Sequence, residues 1–209
     1  MPDIIHEAVA VLQRGGVIVF PTTGLYGLGV DALNDRAVKK VFEIKARPRN
    51  NPISVVIKDV TKLTGIVTHI PKAAKQIINQ YWPGKMTIVF QAQEHLSRHL
   101  TADTGKIGVR QPRHPVAADL VAHFHSPITA TSANISGCPG ISRISDLDLS
   151  IRRKVDLILD AGPLKGGIGS SVCDATTDPP TLLREGSISA DDILKSLNIK
   201  VRKIIDNPH

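Results

Sequence analysis

The sequence predicts an α/β protein in which a twisted sheet of mixed parallel and antiparallel strands is flanked by helices. Two observations predict this class. Short, wholly apolar runs such as 17–20 and 86–90, typical of buried strands, alternate with amphipathic runs at helical spacing. Around residues 155–184, strand-like runs follow one another with only turns between them, which favours a mixed sheet over a purely parallel one.

Capping and breaking residues bound the individual elements. Gly15-Gly16 ends the first helix, Asn34 caps the second, and Pro115 can open the fourth. The predicted helices are 4–12, 35–45, 72–81, the segment opened by Pro115, and 190–197. The predicted strands are 17–20, 53–57, 86–90, 107–110, a run after Ser126, 155–159, a run after the glycine-rich loop 162–171, and 181–184. A loop of small residues covers 21–29.

Composition limits the class of protein and of partner. The 209 residues show no repeat, low-complexity tract or linker, so we expect one domain over residues 1–209. Aromatic residues make up only 3%, which argues against binding single-stranded nucleic acid on exposed stacked rings. The net charge of +7 indicates a polyanionic partner, either a nucleotide or a nucleic acid.

Cysteine usage and hydropathy indicate the cellular compartment of the protein. Cys138 and Cys173 form no Cys-x-x-Cys pair, as is usual in a reducing compartment. The first residues lack the cationic and apolar regions of a signal peptide, and no apolar run approaches the roughly 18 residues that span a bilayer. We therefore expect a cytoplasmic protein with no membrane partner.

The turn over residues 45–54 is the strongest candidate for a binding site. It holds three cations, Lys45, Arg47 and Arg49, between a helix and a strand, and two prolines stiffen it. Arginine forks onto phosphate oxygens and lysine adds a point charge, so cations fixed here suit a polyphosphate. The alternative is a solvated basic loop that only keeps the protein in solution.

Polar residues at other strand ends favour the first interpretation. They are Thr22, Arg110, Ser132 and Asn134 in a hydroxyl-rich stretch, Ser170 in a glycine-rich loop able to form an anion nest, and Arg184. Each alone has an ordinary explanation, such as a connecting loop or an edge salt bridge. Together they predict a basic, hydroxyl-lined pocket able to hold a nucleotide.

Two further patterns resemble a phosphate-binding site and a metal site but do not meet the requirements of either. The run Gly84-Lys85-Met86-Thr87 is not a phosphate-binding P-loop, because Asn79 stands where that motif needs a glycine and a strand follows where it needs a helix. The histidines have no evident third metal ligand, so we expect them at the surface. They are His95, His99, His123 and His125.

Seven fragments stand in order between Val17 and Ser189: PTTGLYGLGVDA, KARPRNNPISVVI, WPGKMTIVF, IGVRQPRHPVA, ITATSANISG, DLILDAGP and LLREGSIS. A Lys-x-Arg pair, Lys45-Ala46-Arg47, precedes a Ser-x-Asn pair, Ser132-Ala133-Asn134. In these fragments and pairs the chain resembles the YrdC/Sua5 family of threonylcarbamoyl-AMP synthases. Each fragment is modest alone, but seven in this order make a specific signal.

The resemblance implies a YrdC-like fold with a deep basic cavity. It implies synthesis of threonylcarbamoyl-AMP and pyrophosphate from L-threonine, bicarbonate or CO2, and ATP with Mg2+. The product would pass to a threonylcarbamoyl transferase complex, which modifies the tRNA adenosine next to the anticodon. The same resemblance implies that Mg2+ arrives with ATP and that no protein side chain binds it.

The resemblance also implies roles for individual residues. Lys45 and Arg47 would be catalytic. The ATP-binding set would be Lys45, Arg47, Ser54, Ser132, Asn134, Ser170 and Arg184. The threonine-binding set would be Thr22, Tyr26 and Arg110.

The chain departs from the family pattern in two loops. The first loop of the family often reads PTDTVYGLG, and Thr23-Gly24 here replaces its Asp-Thr pair, which removes a carboxylate and a hydroxyl beside the implied threonine pocket. The glycine-rich loop often ends in Pro-Ser-Thr and here ends in Gly169-Ser170-Ser171. In length the chain resembles the short YrdC form, whereas the longer Sua5 form carries an extra C-terminal domain.

Two other functions stay open. A basic concave surface can bind tRNA or double-stranded RNA through backbone charge, as a maturation factor without synthase activity. A paralogue can adenylate carbamate on another amine or on carbamoyl phosphate, as related domains of carbamoyltransferases do. The chain shows no zinc-finger or acylphosphatase-like part, which argues against the hydrogenase-maturation version of that paralogue.

Overall fold

The computed structural model describes residues 2–196 and 201–203. Its helices are α1 (Pro2–Gln13), α2 (Asp35–Lys45), α3 (Lys72–Tyr81), α4 (Arg98–Thr101), α5 (Pro115–Phe124), α6 (Leu149–Arg152) and α7 (Ala190–Ser196), with 3₁₀ turns at Val60–Gly65 and Ile144–Asp146. Its strands are β1 (Ile18–Pro21), β2 (Tyr26–Gly29), β3 (Val55–Val56), β4 (Met86–Gln91), β5 (Lys106–Arg110), β6 (Ile128–Thr129), β7 (Thr131–Ser132), β8 (Leu157–Ile158), β9 (Ser171–Asp174), β10 (Thr181–Arg184) and β11 (Arg202–Lys203).

The termini limit what can be compared with the sequence. The predicted last helix is confirmed as far as Ser196, whereas Leu197 lies outside the described residues. Met1, 197–200 and 204–209 also lie outside, so the expected domain over 1–209 is described only in part. Within the part described, no helix is both long and apolar enough to cross a membrane.

The strands form two mixed sheets, which confirms the predicted fold class but divides the expected single sheet. The orders are β7-β2-β1-β8 and β11-β10-β9-β4-β5-β3-β6. In the first sheet, β1 pairs antiparallel with β2 and parallel with β8. In the second, β4 pairs antiparallel with β5 and parallel with β9. Strand β8 therefore joins the sheet begun by the N-terminal hairpin, a long-range pairing with no local signal in the sequence.

The N-terminal hairpin corrects one prediction. Residues 21–29 were expected to form a loop, but Tyr26–Gly29 is a buried strand antiparallel to β1. Its two glycines hid the alternation of side chains that usually marks a strand. One of them has a packing reason, because a Cβ on Gly29 would lie only 2.8 Å from the Phe20 ring.

Helix α2 delivers the basic turn as predicted. The Asn34 side chain accepts a hydrogen bond from the Ala37 amide at the start of the helix. The helix ends at Ala46, whose φ of 48° is left-handed, and the Ala46 amide donates back to the last turn. This reversal sends Lys45 into the protein while the chain turns toward the cavity at Arg47.

The stretch after Ser126 connects the two sheets. It was expected to be one strand, but β6 pairs with β3 in the larger sheet and β7 pairs with β2 in the smaller one. Between them, the Ala130 amide donates to the Ser54 carbonyl at 2.8 Å. The chain therefore crosses from one sheet to the other beside the basic turn.

Two aliphatic clusters hold these elements together, as the low aromatic content predicts. The larger cluster covers both sheets and helices α2 and α3, and includes Val41, Ile77 and Ile88. The smaller one packs α1 and α5 against strands β1, β3 and β6 through residues such as Leu12 and Leu120. Burial of these side chains at about 25 cal/mol per Å² fixes the sheets that frame the site.

Candidate functional site

A cavity of about 960 Å³ is lined by residues of both sheets. Alternate residues of β4 and β5 form its floor, because side chains two apart on a strand share one face. Its walls are the hairpin turn 22–27, the last part of the basic turn at 51–54, the crossing at 130–132, and the glycine-rich loop 166–170.

The cavity brings together eight of the ten residues predicted to form the site. Those eight are Thr22, Tyr26, Arg47, Ser54, Arg110, Ser132, Ser170 and Arg184. Lys45 and Asn134 do not line it; each is buried behind the wall. The two motif pairs are nevertheless adjacent, because these two residues contact each other.

Lys45 is only 1% exposed, and its charge is bound by main chain. Its Nζ donates to the Ser132 carbonyl at 2.5 Å and to the Asn134 carbonyl at 2.6 Å. Burial, with the charge of Arg47 as a second cause, lowers the pKa of Lys45 to about 8. In this structure Lys45 fastens helix α2 to the Ser132–Asn134 segment rather than projecting into the cavity.

The Asn134 side chain forms hydrogen bonds within the same segment. Its Nδ2 donates to the Ile135 carbonyl at 2.8 Å and to the Cys138 carbonyl at 2.5 Å. Its Oδ1 lies 3.4 Å from Lys45 Nζ. With all its polar atoms engaged, Asn134 shapes the loop that carries Ser132 into the wall.

The three arginines of the cavity differ in what holds them. Arg47 is fixed by its own turn, because its guanidinium donates to the Asn51 and Pro52 carbonyls at 2.9 and 2.8 Å. Arg184 donates to the Ser170 carbonyl at 2.8 Å. These bonds pre-orient both side chains along the wall.

Arg110 is the third arginine and is 9% exposed. Within residues 2–196 and 201–203, nothing accepts a hydrogen bond from its guanidinium. Burial, and secondarily the charge of Arg184, lowers its pKa to about 10. A buried cation without a partner is costly, so its guanidinium is suited to bind an anion in the cavity.

The charge of the lining is strongly positive. The lining cations are Arg47, Lys85, Lys106, Arg110 and Arg184, against a single carboxylate, Asp174. Lys106 Nζ lies 2.9 Å from Asp174 Oδ2, so this pair is neutral. Burial opposes ionisation of Asp174, but hydrogen bonds from Thr176 and Lys106 outweigh it and lower its pKa.

Most hydroxyl groups of the predicted threonine pocket already have protein partners. Thr22 Oγ1 donates to the Leu25 carbonyl at 2.6 Å. The Tyr26 hydroxyl donates to the Gly162 carbonyl at 2.7 Å, and burial raises its pKa. Thr23 Oγ1, at the position that departs from the family pattern, is buried and meets no partner among the described residues.

The sequence predicts Arg110 but not the rest of the cavity floor. Lys85, Thr87 and Val89 line the floor at and just before β4, and Lys106 and Gly108 line it beside Arg110 on β5. Lys85, Thr87 and Lys106 are polar residues at alternate positions of these two runs, which is a signal for a strand with one polar face. The apolar residues between them dominate both runs, so the local pattern indicates buried strands and not a site.

Comparison with known proteins supports the resemblance. The Sua5/YciO/YrdC family model, described as telomere recombination, matches residues 10–186. The threonylcarbamoyl-AMP synthase of Pyrococcus abyssi is 36% identical over 91% of this chain and 56% of the relative, and that of Bacillus subtilis is 36% identical over 90% and 55%. A crystal structure of P. abyssi Sua5 complexed with L-threonine superposes with a TM-score of 0.89 at 35% identity, covering 95% of this chain and 58% of that one.

The chain thus spans little more than half the length of these relatives. The matched part includes all ten predicted site residues, since they lie between Thr22 and Arg184. The similarity therefore covers the cavity described above.

Proposed function

The chain belongs to the Sua5/YciO/YrdC family, and we propose that it is an L-threonylcarbamoyladenylate synthase. This nucleotidyltransferase makes threonylcarbamoyl-AMP and pyrophosphate from L-threonine, bicarbonate or CO2, and ATP. The observation that carries the proposal is the positive cavity that eight of the ten predicted site residues line. ATP, the amino-acid carboxylate and the carbamate are all anions, so such a cavity suits all three.

The chemistry requires two bond-forming steps. The threonine nitrogen attacks the carbon of CO2 and loses a proton, which gives a carbamate. A carbamate oxygen then attacks the α-phosphorus of ATP, and the bond from that phosphorus to the bridging oxygen of the β-phosphate breaks. Charge shifts onto the leaving pyrophosphate, so fixed cations around the phosphates lower the barrier.

We assign the ATP side of the cavity to Arg47, Arg184, Ser54, Ser132 and Ser170. Arg47 is the candidate catalytic residue, because its guanidinium is held by its own turn and lines the cavity. Lys45 and Asn134 act through the Ser132 segment as positioning residues, since their polar atoms are bound there. Preorganised contacts of this kind supply much of the rate in phosphoryl transfer.

We assign the threonine side to Arg110, Thr22 and Tyr26. Arg110 is suited to the threonine carboxylate because its guanidinium is buried and has no partner in the described chain. Thr22 and Tyr26 contribute mainly the shape of the hairpin turn, because their hydroxyls bond to Leu25 and Gly162.

The metal and the partners follow from the proposed reaction. No group of three or more acidic, histidine or cysteine side chains that could hold a metal ion occurs within the described ranges. We propose that Mg2+ enters as MgATP, bound by phosphate oxygens and water. We also propose that a threonylcarbamoyl transferase complex receives the product for tRNA modification.

Pyrophosphate release tests the proposal. The assay follows release from ATP in the full mixture and with threonine or bicarbonate omitted in turn, with mass spectrometry of the adenylate. We expect release to need both co-substrates and to give threonylcarbamoyl-AMP. Pyrophosphate release that does not depend on threonine but requires another amine would identify the protein as the paralogue with a different acceptor. RNA binding with steep salt dependence and no turnover would favour the tRNA-binding alternative.

A further inference from the structure

Lys85 is a cavity cation that the proposed roles leave unused. It directly precedes β4, is partly buried and lines the cavity. Across the described residues, no carboxylate or carbonyl binds its ammonium group. Lys106, the other lysine of the lining, differs because its charge is neutralised by Asp174 at 2.9 Å.

The backbone of Lys85 is held between two strands. The Gly84 amide donates to the Gln111 carbonyl at 3.0 Å, and the Lys85 carbonyl accepts from the Ser171 amide at 3.0 Å. Continuing the β4–β5 register one step beyond the Ile88–Val109 pair places Arg110 opposite Thr87. Lys85 and Arg110 both line the cavity, and the Lys85 main chain is bonded to the residue that follows the glycine-rich loop.

The loop that leads into Ser171 offers further donors. The amide of Gly166 is bound to the Gly24 carbonyl at 2.9 Å, but the next four amides, those of residues 167–170, meet no acceptor in the described chain. Gly166, Gly167 and Gly169 have positive φ values of 75°, 119° and 83°. Successive free amides in such a turn form a concave site suited to phosphate oxygens.

Arg184 adds a second cation to the same segment. Its guanidinium donates to the Ser170 carbonyl at 2.8 Å, while Ser170 Oγ lies 2.9 Å from Thr87 Oγ1 on the floor. The free amides, Lys85 and Arg184 thus surround the Ser170–Ser171 corner of the cavity. Point charges combined with backbone amides are the recurring means of binding a polyphosphate.

We propose that Lys85, the amides of 167–170 and Arg184 form the subsite for the β- and γ-phosphates of ATP, and hence for the pyrophosphate that is released. This inference rests on the proposed function and adds the group that distinguishes ATP from AMP. Lys85 supplies a positive charge that AMP, which lacks these two phosphates, does not reach.

Calorimetric binding of AMP, pyrophosphate and MgATP tests the subsite. Lys85→Met removes the charge at similar length, Lys85→Arg keeps it, and Lys58→Met makes the same charge change at an exposed residue outside the cavity. A hydrogen bond to a charged group predicts that Lys85→Met weakens pyrophosphate and ATP about 10- to 100-fold and leaves AMP within about two-fold. We expect Lys85→Arg and Lys58→Met to bind all three ligands like the original protein.

Three results would overturn the subsite. They are an unchanged affinity of Lys85→Met for pyrophosphate and ATP, an equal loss for AMP, and a change confined to the threonine requirement. The last would place Lys85 against the amino-acid or carbamate carboxylate. In each case the unmodified protein still binds ATP, so the proposed function survives; an unmodified protein that binds neither ATP nor pyrophosphate refutes both.

Discussion

Replacing Lys45 with methionine should destabilise the fold even though Lys45 does not line the cavity. The substitution removes two hydrogen bonds from a charged donor to the Ser132 and Asn134 carbonyls, the longer of them 2.6 Å. Each such bond contributes about 1.5–3 kcal/mol, and the two carbonyls would be left unpaired. The burial cost that lowers the pKa of Lys45 offsets part of this loss, so the net change is about 2–4 kcal/mol.

Thermal unfolding measures this effect. For a chain of this length 1 kcal/mol shifts Tm by about 2–4 °C, so Lys45→Met should lower Tm by roughly 5–15 °C. Lys40→Met is the matched control on the same helix, because Lys40 is exposed and makes one bond, to the Gly15 carbonyl at 2.8 Å. Its Tm should stay within about 2–4 °C of the original. Equal Tm values for Lys45→Met and the unmodified protein would refute the idea that Lys45 holds the Ser132 segment.

The lowered pKa of Lys45 provides a second, independent test of its burial, through the pH dependence of stability. Between its folded pKa of about 8 and its ordinary value of 10.5, the unfolded chain binds more protons at this residue than the folded one. The contribution of Lys45 to the free energy of unfolding therefore rises with pH between these two values. The difference in unfolding free energy between the unmodified protein and Lys45→Met should grow from pH 8 to pH 10.5. A constant difference would show that Lys45 keeps its proton in the fold.

Three further substitutions test other parts of the cavity. Arg110→Ala should raise the KM for threonine at least about ten-fold and that for ATP much less, and an unchanged threonine dependence would remove Arg110 from that role. Gly24→Ala should destabilise by about 1–3 kcal/mol in urea unfolding, because its Cβ would lie 2.4 Å from the Gly166 carbonyl oxygen. Lys106→Met leaves Asp174 without its ion-pair partner and should cost about 1–3 kcal/mol at neutral pH. Since the lowered pKa of Asp174 stabilises the fold above its unfolded value and that gain is lost as pH falls, the Lys106→Met deficit should shrink toward acid pH.

The elements that sequence predicted well are those with a strong local signal. Helix 72–81 agrees with α3 at both ends, and Asn34 caps α2 as expected. Both have amphipathic spacing and clear boundaries. The division into two sheets had no such signal, because the partner of β1 on its far side is β8, from residues 157–158. Pairing over that distance depends on how the helices and loops pack, which no local pattern encodes.

The site shows the same contrast. Motif residues predicted the cavity because eight of the ten line it. The motif did not reveal that Lys45 and Asn134 face each other behind the wall, since a residue pattern carries no side-chain direction. Lys85 stands in the fragment WPGKMTIVF, but the Lys-x-Arg and Ser-x-Asn pairs do not include it. It becomes a candidate because the structure places it in the cavity lining.

The proposed reaction joins threonine, the carbon of bicarbonate and AMP in one molecule within this cavity. The most direct measurement is mass spectrometry of the nucleotide formed from ATP, L-threonine and 13C-bicarbonate. We predict one adenylate that contains threonine and a single 13C atom, formed together with an equal amount of pyrophosphate. An adenylate without the label, or one that forms equally well without threonine, would contradict the proposed reaction.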